Sequence, residues 1–134
     1  FRPLYSFCAL IREHGMQEKV LVPSFSDKAM AEFRAACPEV ATAGSSSEVR
    51  NFVILNFALL SNLLSLEYEA FQVPQSSSGI PVVIPSFINT AHDRNLQVHV
   101  WTINDPITMQ HLIDIGVDGI MTDRPDILQE LLGR

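Results

Sequence analysis

Five short apolar runs alternate with stretches of helical spacing, and this alternation constrains the fold more than any other feature of the chain. The runs are Val20–Ser24, Val40–Ala43, Ala70–Val73, Val98–Trp101 and Gly119–Thr122. Short apolar runs between turn residues read as strands. Between them, Met30, Phe33 and Ala36 recur at helical spacing over Asp27–Ala36. Asp105-Pro106 opens a helix carrying Met109, Leu112, Ile113 and Ile115, with Gly116 beyond its end. Asp123 is placed to cap a last helix with Pro125 in its first turn and Ile127, Leu128 and Leu131 along one side. A further helix is expected from Ser86 to Arg94, and Leu4, Phe7, Cys8 and Ile11 form a face at the front. Strands alternating with helices make βα units around a parallel sheet.

Two architectures accept such units. A doubly wound sheet is complete with five strands. An eight-unit barrel typically needs about 250 residues. One unit recurs about every 25 residues, so the 134 residues here count out five units. No stretch reads G-x-x-x-x-G-K, G-x-G-x-x-G, G-x-S-x-G or H-E-x-x-H. Those gaps weaken a nucleotide-binding doubly wound sheet. Ile80–Ile84 offers a short extra strand after the flexible Ser76–Gly79 turn, and Ser45–Ser47 reads as a loop or helix start.

Composition narrows the functional classes. Hydrophobic residues at 47% and charged residues at 18% suit a globular domain. The net charge of −6 and the lack of a Lys/Arg block argue against nucleic acid or a polybasic membrane patch as partner. The longest apolar stretch, Phe52–Leu66, is broken by Asn56, Ser61, Asn62 and Ser65, so one or two buried helices are expected rather than a membrane span. Cys8 and Cys37 are too few for a disulfide scaffold and read as buried small apolar residues. No signal-peptide pattern is present in the residues given, which favours a cytoplasmic setting, and the start at Phe1 rather than Met suggests an incomplete reading frame.

Alternation places His99 and Trp101 on one face of their strand, with Val98 and Val100 on the other. The valines suit packing under helices, which leaves the histidine and tryptophan facing away from them. Gln72 shares its face with Ala70, while Phe71 and Val73 take the opposite side. Asp118, Asp123 and Asp126 cluster near the last strand, where capping and the helix dipole account for Asp123 and Asp126 better than a cation does. His14, His92 and His111 fall on or beside helices without carboxylate or cysteine partners at ligand spacing.

Val98-His99-Val100-Trp101-Thr102-Ile103-Asn104, followed by Gly116-Val117-Asp118-Gly119-Ile120-Met121-Thr122-Asp123-Arg124-Pro125, resembles the carboxyl-terminal end of the glycerophosphodiester phosphodiesterase family. Ser24-Phe25, Phe71-Gln72-Val73-Pro74 and Ala91-His92 extend the resemblance to bacterial-type members over nearly the whole chain. It implies a partial (βα)8 barrel, about strands four to eight with their helices, with residues 1–134 as the carboxyl-terminal portion of the domain. It implies metal-dependent hydrolysis of a glycerophosphodiester to glycerol 3-phosphate and an alcohol, with Mg or Ca as the expected divalent cation.

In the family, the metal ligands and catalytic histidines belong to an H-R pair, an E-x-D, a further histidine and an E-x-K. The chain has no H-R, E-x-D or E-x-K. No catalytic or metal-binding residue is therefore expected in it, and the isolated chain is expected to be inactive. What carries over is pocket lining: Trp101 first, then Gln72, Ser24 and Phe25. Thr102, Asn104, Thr122 and Asp123 match positions that tie strand ends to loops. The alternative is a non-catalytic half-barrel that self-associates or pairs with a complementary chain through open sheet edges.

Overall fold

The computed structural model describes residues 2–134, and Phe1 lies outside the described residues. The elements follow in the order α1 (Arg2–Glu13), β1 (Leu21–Val22), α2 (Asp27–Ala36), β2 (Ala41–Thr42) and α3 (Ser46–Phe57). A 3-10 turn (Ser61–Leu63), β3 (Ala70–Pro74), β4 (Ser76–Ser77), β5 (Ile80–Pro81) and α4 (Pro85–Asp93) come next. β6 (Gln97–Trp101), α5 (Pro106–Asp114), β7 (Gly119–Ile120) and α6 (Pro125–Leu131) complete the described chain.

Helix starts follow from local chemistry. The Ser26 hydroxyl accepts from the Ala29 amide at 3.2 Å, and the Asp105 carboxylate accepts from the Thr108 amide at 2.8 Å. Each satisfies an amide with no partner inside its own helix. At α3 the Glu48 carboxylate reaches back to the Ser45 amide at 2.7 Å, so the Ser45–Ser47 tract is a helix start. The expected cap of α6 moves by one residue: Arg124, not Asp123, is its N-cap, because the Asp123 carboxylate is drawn to Asn104 instead.

Strand order decides the architecture. β1 pairs with β2, β3 with β6 and β6 with β7, all parallel. A parallel bridge between Ala43 and Ala70 joins the two sets, reinforced by Gly44 N donating to Ala70 O and Glu69 N to Thr42 O, each at 2.9 Å. The order β1-β2-β3-β6-β7 is therefore the order along the chain. A doubly wound sheet reverses direction at a switch point; a barrel never does. The fold is a part of a (βα)8 barrel. β4 and β5 stand outside the series as an antiparallel hairpin, with Ser77 opposite Ile80. The serine turn and the extra strand near Ile80 are thus two arms of one feature.

The main core lies between sheet and helices. Phe71 and Val73 of β3 and Val98 and Val100 of β6 are almost wholly buried against Phe52 of α3, Phe87 and Ile88 of α4, and Met109 and Leu112 of α5. A smaller cluster joins Cys8 and Ile11 of α1 to Phe33 of α2, Cys37 and Val40. Here the two cysteines depart from expectation. They are buried, but they form a disulfide, with α carbons 5.9 Å apart across 29 residues of sequence. The separation was no guide, because α1 must first dock on α2 before the two sulfurs can meet.

Arg34 ties three elements together. From α2 it donates to the Glu48 carboxylate twice, at 2.6 and 3.0 Å, to the Thr42 hydroxyl at 2.9 Å and to the Ala43 carbonyl at 3.2 Å. Burial pushes the Glu48 carboxyl up, but the Arg34 and Ser45 hydrogen bonds outweigh it and hold it below its usual range. The apolar stretch after Asn51 is less buried than expected. Phe52 packs inside, whereas Ile54, Phe57, Leu59, Leu60 and Leu63 are exposed. Among the described residues, no helix is long and apolar enough to cross a membrane.

Candidate functional site

The sheet face opposite the helices collects the polar and aromatic side chains. Val98 and Val100 are buried toward the helix layer, and His99 and Trp101 are half-buried on the other side. The parallel register sets Gln72 directly beside His99 and Pro74 beside Trp101. Gln72 Nε2 lies 3.3 Å from His99 Nδ1, and Gln97 Oε1 lies 3.0 Å from His99 Nε2. Both ring nitrogens are therefore engaged by amides. Burial lowers the proton affinity of His99, with the Asp118 charge acting weakly the other way.

Close approach makes room for that ring. A Cβ on Gly119 of β7 would sit 2.9 Å from His99 Cδ2, so only glycine lets the imidazole rest against the neighbouring strand.

Trp101 stands at the carboxyl end of β6, where barrels bind substrate. Its indole meets the Phe25 ring edge-on, with centroids 6.0 Å apart and planes at 63°. Phe25 follows β1, and β2 and β3 lie between β1 and β6. Three strand spacings amount to about 14 Å on a flat sheet. The rings bridge that gap by leaning over a concave face. Phe25 is 71% exposed, so its ring is available at the rim. Ser24 is half-buried, and its hydroxyl accepts from the Ser26 amide at 3.2 Å, in a local turn. Of the four candidate lining residues, Phe25 and Trp101 touch, and Gln72 joins His99 one layer deeper.

Strand-end polar residues lace the rim from beneath. Asn104 Oδ1 accepts from the Asp123 amide at 2.8 Å and from the Thr122 hydroxyl at 3.1 Å, while its Nδ2 donates to the Asp123 carboxylate at 3.0 Å. The Thr122 hydroxyl in turn accepts from the Arg124 amide at 2.9 Å. This network fixes the loops after β6 and β7 relative to each other.

The acidic trio does not converge. Asp118 accepts from the Val98 amide at 2.7 Å and lies 2.8 Å from His92 Nε2; Asp123 serves Asn104; Asp126 pairs with Arg124 at 2.7 Å. The pairing of His92 corrects the expectation that it lacks a carboxylate partner. Residues 26 apart in sequence meet because α4 packs beside the turn before β7. Among the described residues, one group with metal-ligand character does cluster, Cys8, Cys37 and Glu39. Its two sulfurs are bonded to each other, and Glu39 is taken by Arg12 at 2.5 and 3.1 Å. These three residues do not fit a divalent cation. A groove lined by Pro106, Ile107, Gln110, His111, Asp114 and Leu131 lies between α5 and α6.

A parallel sheet in chain order, a tryptophan at the end of β6 and an Asn104–Asp123 clasp can now be compared with known proteins. The glycerophosphoryl diester phosphodiesterase family model matches residues 4–127. The chain belongs to this family. The Mycobacterium tuberculosis protein named "probable glycerophosphodiester phosphodiesterase 2" is 39% identical over 66 residues, which is 49% of this chain and 25% of that protein. The solved glycerophosphodiester phosphodiesterase of Agrobacterium tumefaciens superposes with a TM-score of 0.73 at 17% identity, over 98% of this chain and 52% of its own. An Oleispira antarctica phosphodiesterase, solved in complex with the product sn-glycerol-3-phosphate, superposes with a TM-score of 0.62 at 20% identity, over 85% of this chain and 42% of its own. The chain spans about half the length, or less, of these relatives.

Proposed function

We propose that this chain is the carboxyl-terminal, substrate-pocket portion of a phosphodiesterase barrel that hydrolyses glycerophosphodiesters to glycerol 3-phosphate and an alcohol. The observation that carries the reading is the Phe25–Trp101 pair across the mouth, with Gln72 below it. An indole face shields the carbon side of a glycerol unit from water, and an amide can exchange hydrogen bonds with its hydroxyls. Ser24 is the weakest of the four lining residues, because its hydroxyl is turned into the local loop. The complex of the Oleispira relative with sn-glycerol-3-phosphate supports a glycerol phosphate as the ligand class.

Hydrolysis breaks the bond between phosphorus and the alcohol oxygen as water attacks phosphorus. It calls for neutralised phosphate charge, a base for the attacking water and an acid for the leaving oxygen. The mouth supplies none of these. Both His99 nitrogens are engaged by Gln72 and Gln97, His92 is paired with Asp118, and among the described residues Asp118, Asp123 and Asp126 each serve a separate partner. The pure 134-residue chain, incubated with glycerophosphocholine and Mg or Ca, is expected to release no glycerol 3-phosphate above the blank. Clear turnover refutes that expectation.

The open sheet favours a second reading, a half-barrel that associates with itself or with a complementary chain. Among the described residues, β1 pairs with β2 alone and β7 with β6 alone, so each keeps one free edge. Light scattering after size exclusion separates the cases: a mass of twice the 14.9 kDa chain supports association, and a compact monomer rules against it. The Cys8–Cys37 disulfide bears on compartment as well. Disulfides persist in oxidising settings, so the chemistry of this pair speaks against the cytoplasm.

A further inference from the structure

We propose that His99 is a positioning residue: it holds the amide nitrogen of Gln72 so that the Gln72 carbonyl oxygen is left to accept a hydrogen bond from a glycerol hydroxyl in the mouth. The proposal rests on the substrate-pocket reading above and adds a donor–acceptor polarity to it.

The inference follows from proton counting along three side chains. A neutral imidazole has one N–H and one lone pair. With Gln97 Oε1 3.0 Å from Nε2, that nitrogen carries the proton, and Nδ1 offers its lone pair to Gln72 Nε2 at 3.3 Å. Gln72 Oε1 then has no protein partner among the described residues. In the opposite tautomer Nδ1 donates, so both amides must reverse, and Gln72 turns its NH2 group to the mouth. The ring therefore decides whether the pocket wall presents an acceptor or a donor. Gly119 keeps the ring in place by letting it lie against β7.

The groups facing the ring are few. Gln72 comes from β3, Gln97 from its own strand, and Gly119 from β7. Asp118, in the turn before β7, is the charge that acts on it, and Asp118 is itself engaged by His92 of α4 and the Val98 amide. Burial of the ring acts against its protonation, which favours the neutral form that the arrangement needs.

Nuclear magnetic resonance on the full 15N-labelled chain tests this without any requirement for catalysis. At about pH 8, above the ordinary imidazole range, Nε2 of His99 is expected to carry the proton. A scalar coupling is expected between Gln72 Nε2 and His99 Nδ1 across their hydrogen bond. On acidification that coupling should vanish, and the Gln72 NH2 signals should move with the same midpoint as His99. A proton on Nδ1, or Gln72 signals indifferent to the His99 titration, overturns the proposal.

Glycerol, which does not titrate, is the ligand probe at the same pH. It is expected to shift both Trp101 and Gln72 signals, with the Gln72 response about fivefold to tenfold weaker in His99→Phe. A shift at Trp101 alone, or an equal Gln72 response in the variant, sinks the positioning role and leaves the pocket reading intact. No shift at either residue overturns both. The wild-type tautomer decides the matter even where His99→Phe does not fold.

Discussion

Phe71→Ala is expected to cost about 3–5 kcal/mol of folding stability, the range for truncating a fully buried phenylalanine. The ring has no exposed surface and sits among three others: Phe52 at 4.6 Å, Phe87 at 5.1 Å and Tyr68 at 5.3 Å between centroids. Those partners come from α3, α4 and the approach to β3, so one side chain joins two helices to the sheet. Its strand neighbour Gln72 faces the mouth. Removing Phe71 therefore loosens the strand on which Gln72, the proposed pocket residue, stands. A domain of this size holds only about 5–15 kcal/mol in total, so the variant loses a large share of it and should unfold at a much lower urea concentration. Urea denaturation followed by Trp101 fluorescence gives the number. A loss under about 1 kcal/mol, the level of a surface substitution, contradicts this placement of the core.

Loss of the Cys8–Cys37 bond is the second large effect. The bond closes a loop with a sequence separation of 29 residues. Restricting the unfolded chain over a loop of that length is worth about 3–4 kcal/mol. The double variant Cys8→Ser, Cys37→Ser should lose about that much, as should the reduced wild type. Neighbouring contacts soften the structural consequence. Arg12 of α1 still donates to the Ala36 carbonyl at 3.0 Å and pairs with Glu39, while Ile11, Phe33 and Val40 remain packed. The expected outcome is a lower denaturation midpoint with little change in the sheet. Thiol titration of the unfolded, unreduced chain gives an independent check: no free thiol is expected, and two reactive thiols contradict the pairing.

Local periodicity made much of this architecture legible. Alternation in Val98–Trp101 alone assigns each side chain to its face, because a strand has only two faces. The spacing of Met30, Phe33 and Ala36 marked α2 at the bounds observed. What escaped depends on contacts between distant segments. The disulfide needs α1 against α2, and the His92–Asp118 contact needs the end of α4 beside the turn before β7. Asp123 carried a capping signal that tertiary structure overrode, because Asn104 offered its side chain a partner at 3.0 Å. The exposed residues on α3 were misleading in another way. An apolar run suggests burial, but a helix against one sheet buries one stripe. At the site, parity set Gln72 opposite Phe71 and Val73 but left a lining position and an exposed edge equally open; that it shares a face with His99, and their hydrogen bond, required the pairing of β3 with β6.

A chimera puts the pocket assignment to the test. The amino-terminal half of an active relative is joined ahead of this chain, and glycerophosphocholine hydrolysis is measured with Mg or Ca. If this chain is the pocket portion of a phosphodiesterase barrel, the folded chimera turns over substrate. Trp101→Ala in it then raises KM by about tenfold or more, as expected for losing a well-packed aromatic contact. A folded chimera with no turnover, or one whose KM ignores Trp101, contradicts the account.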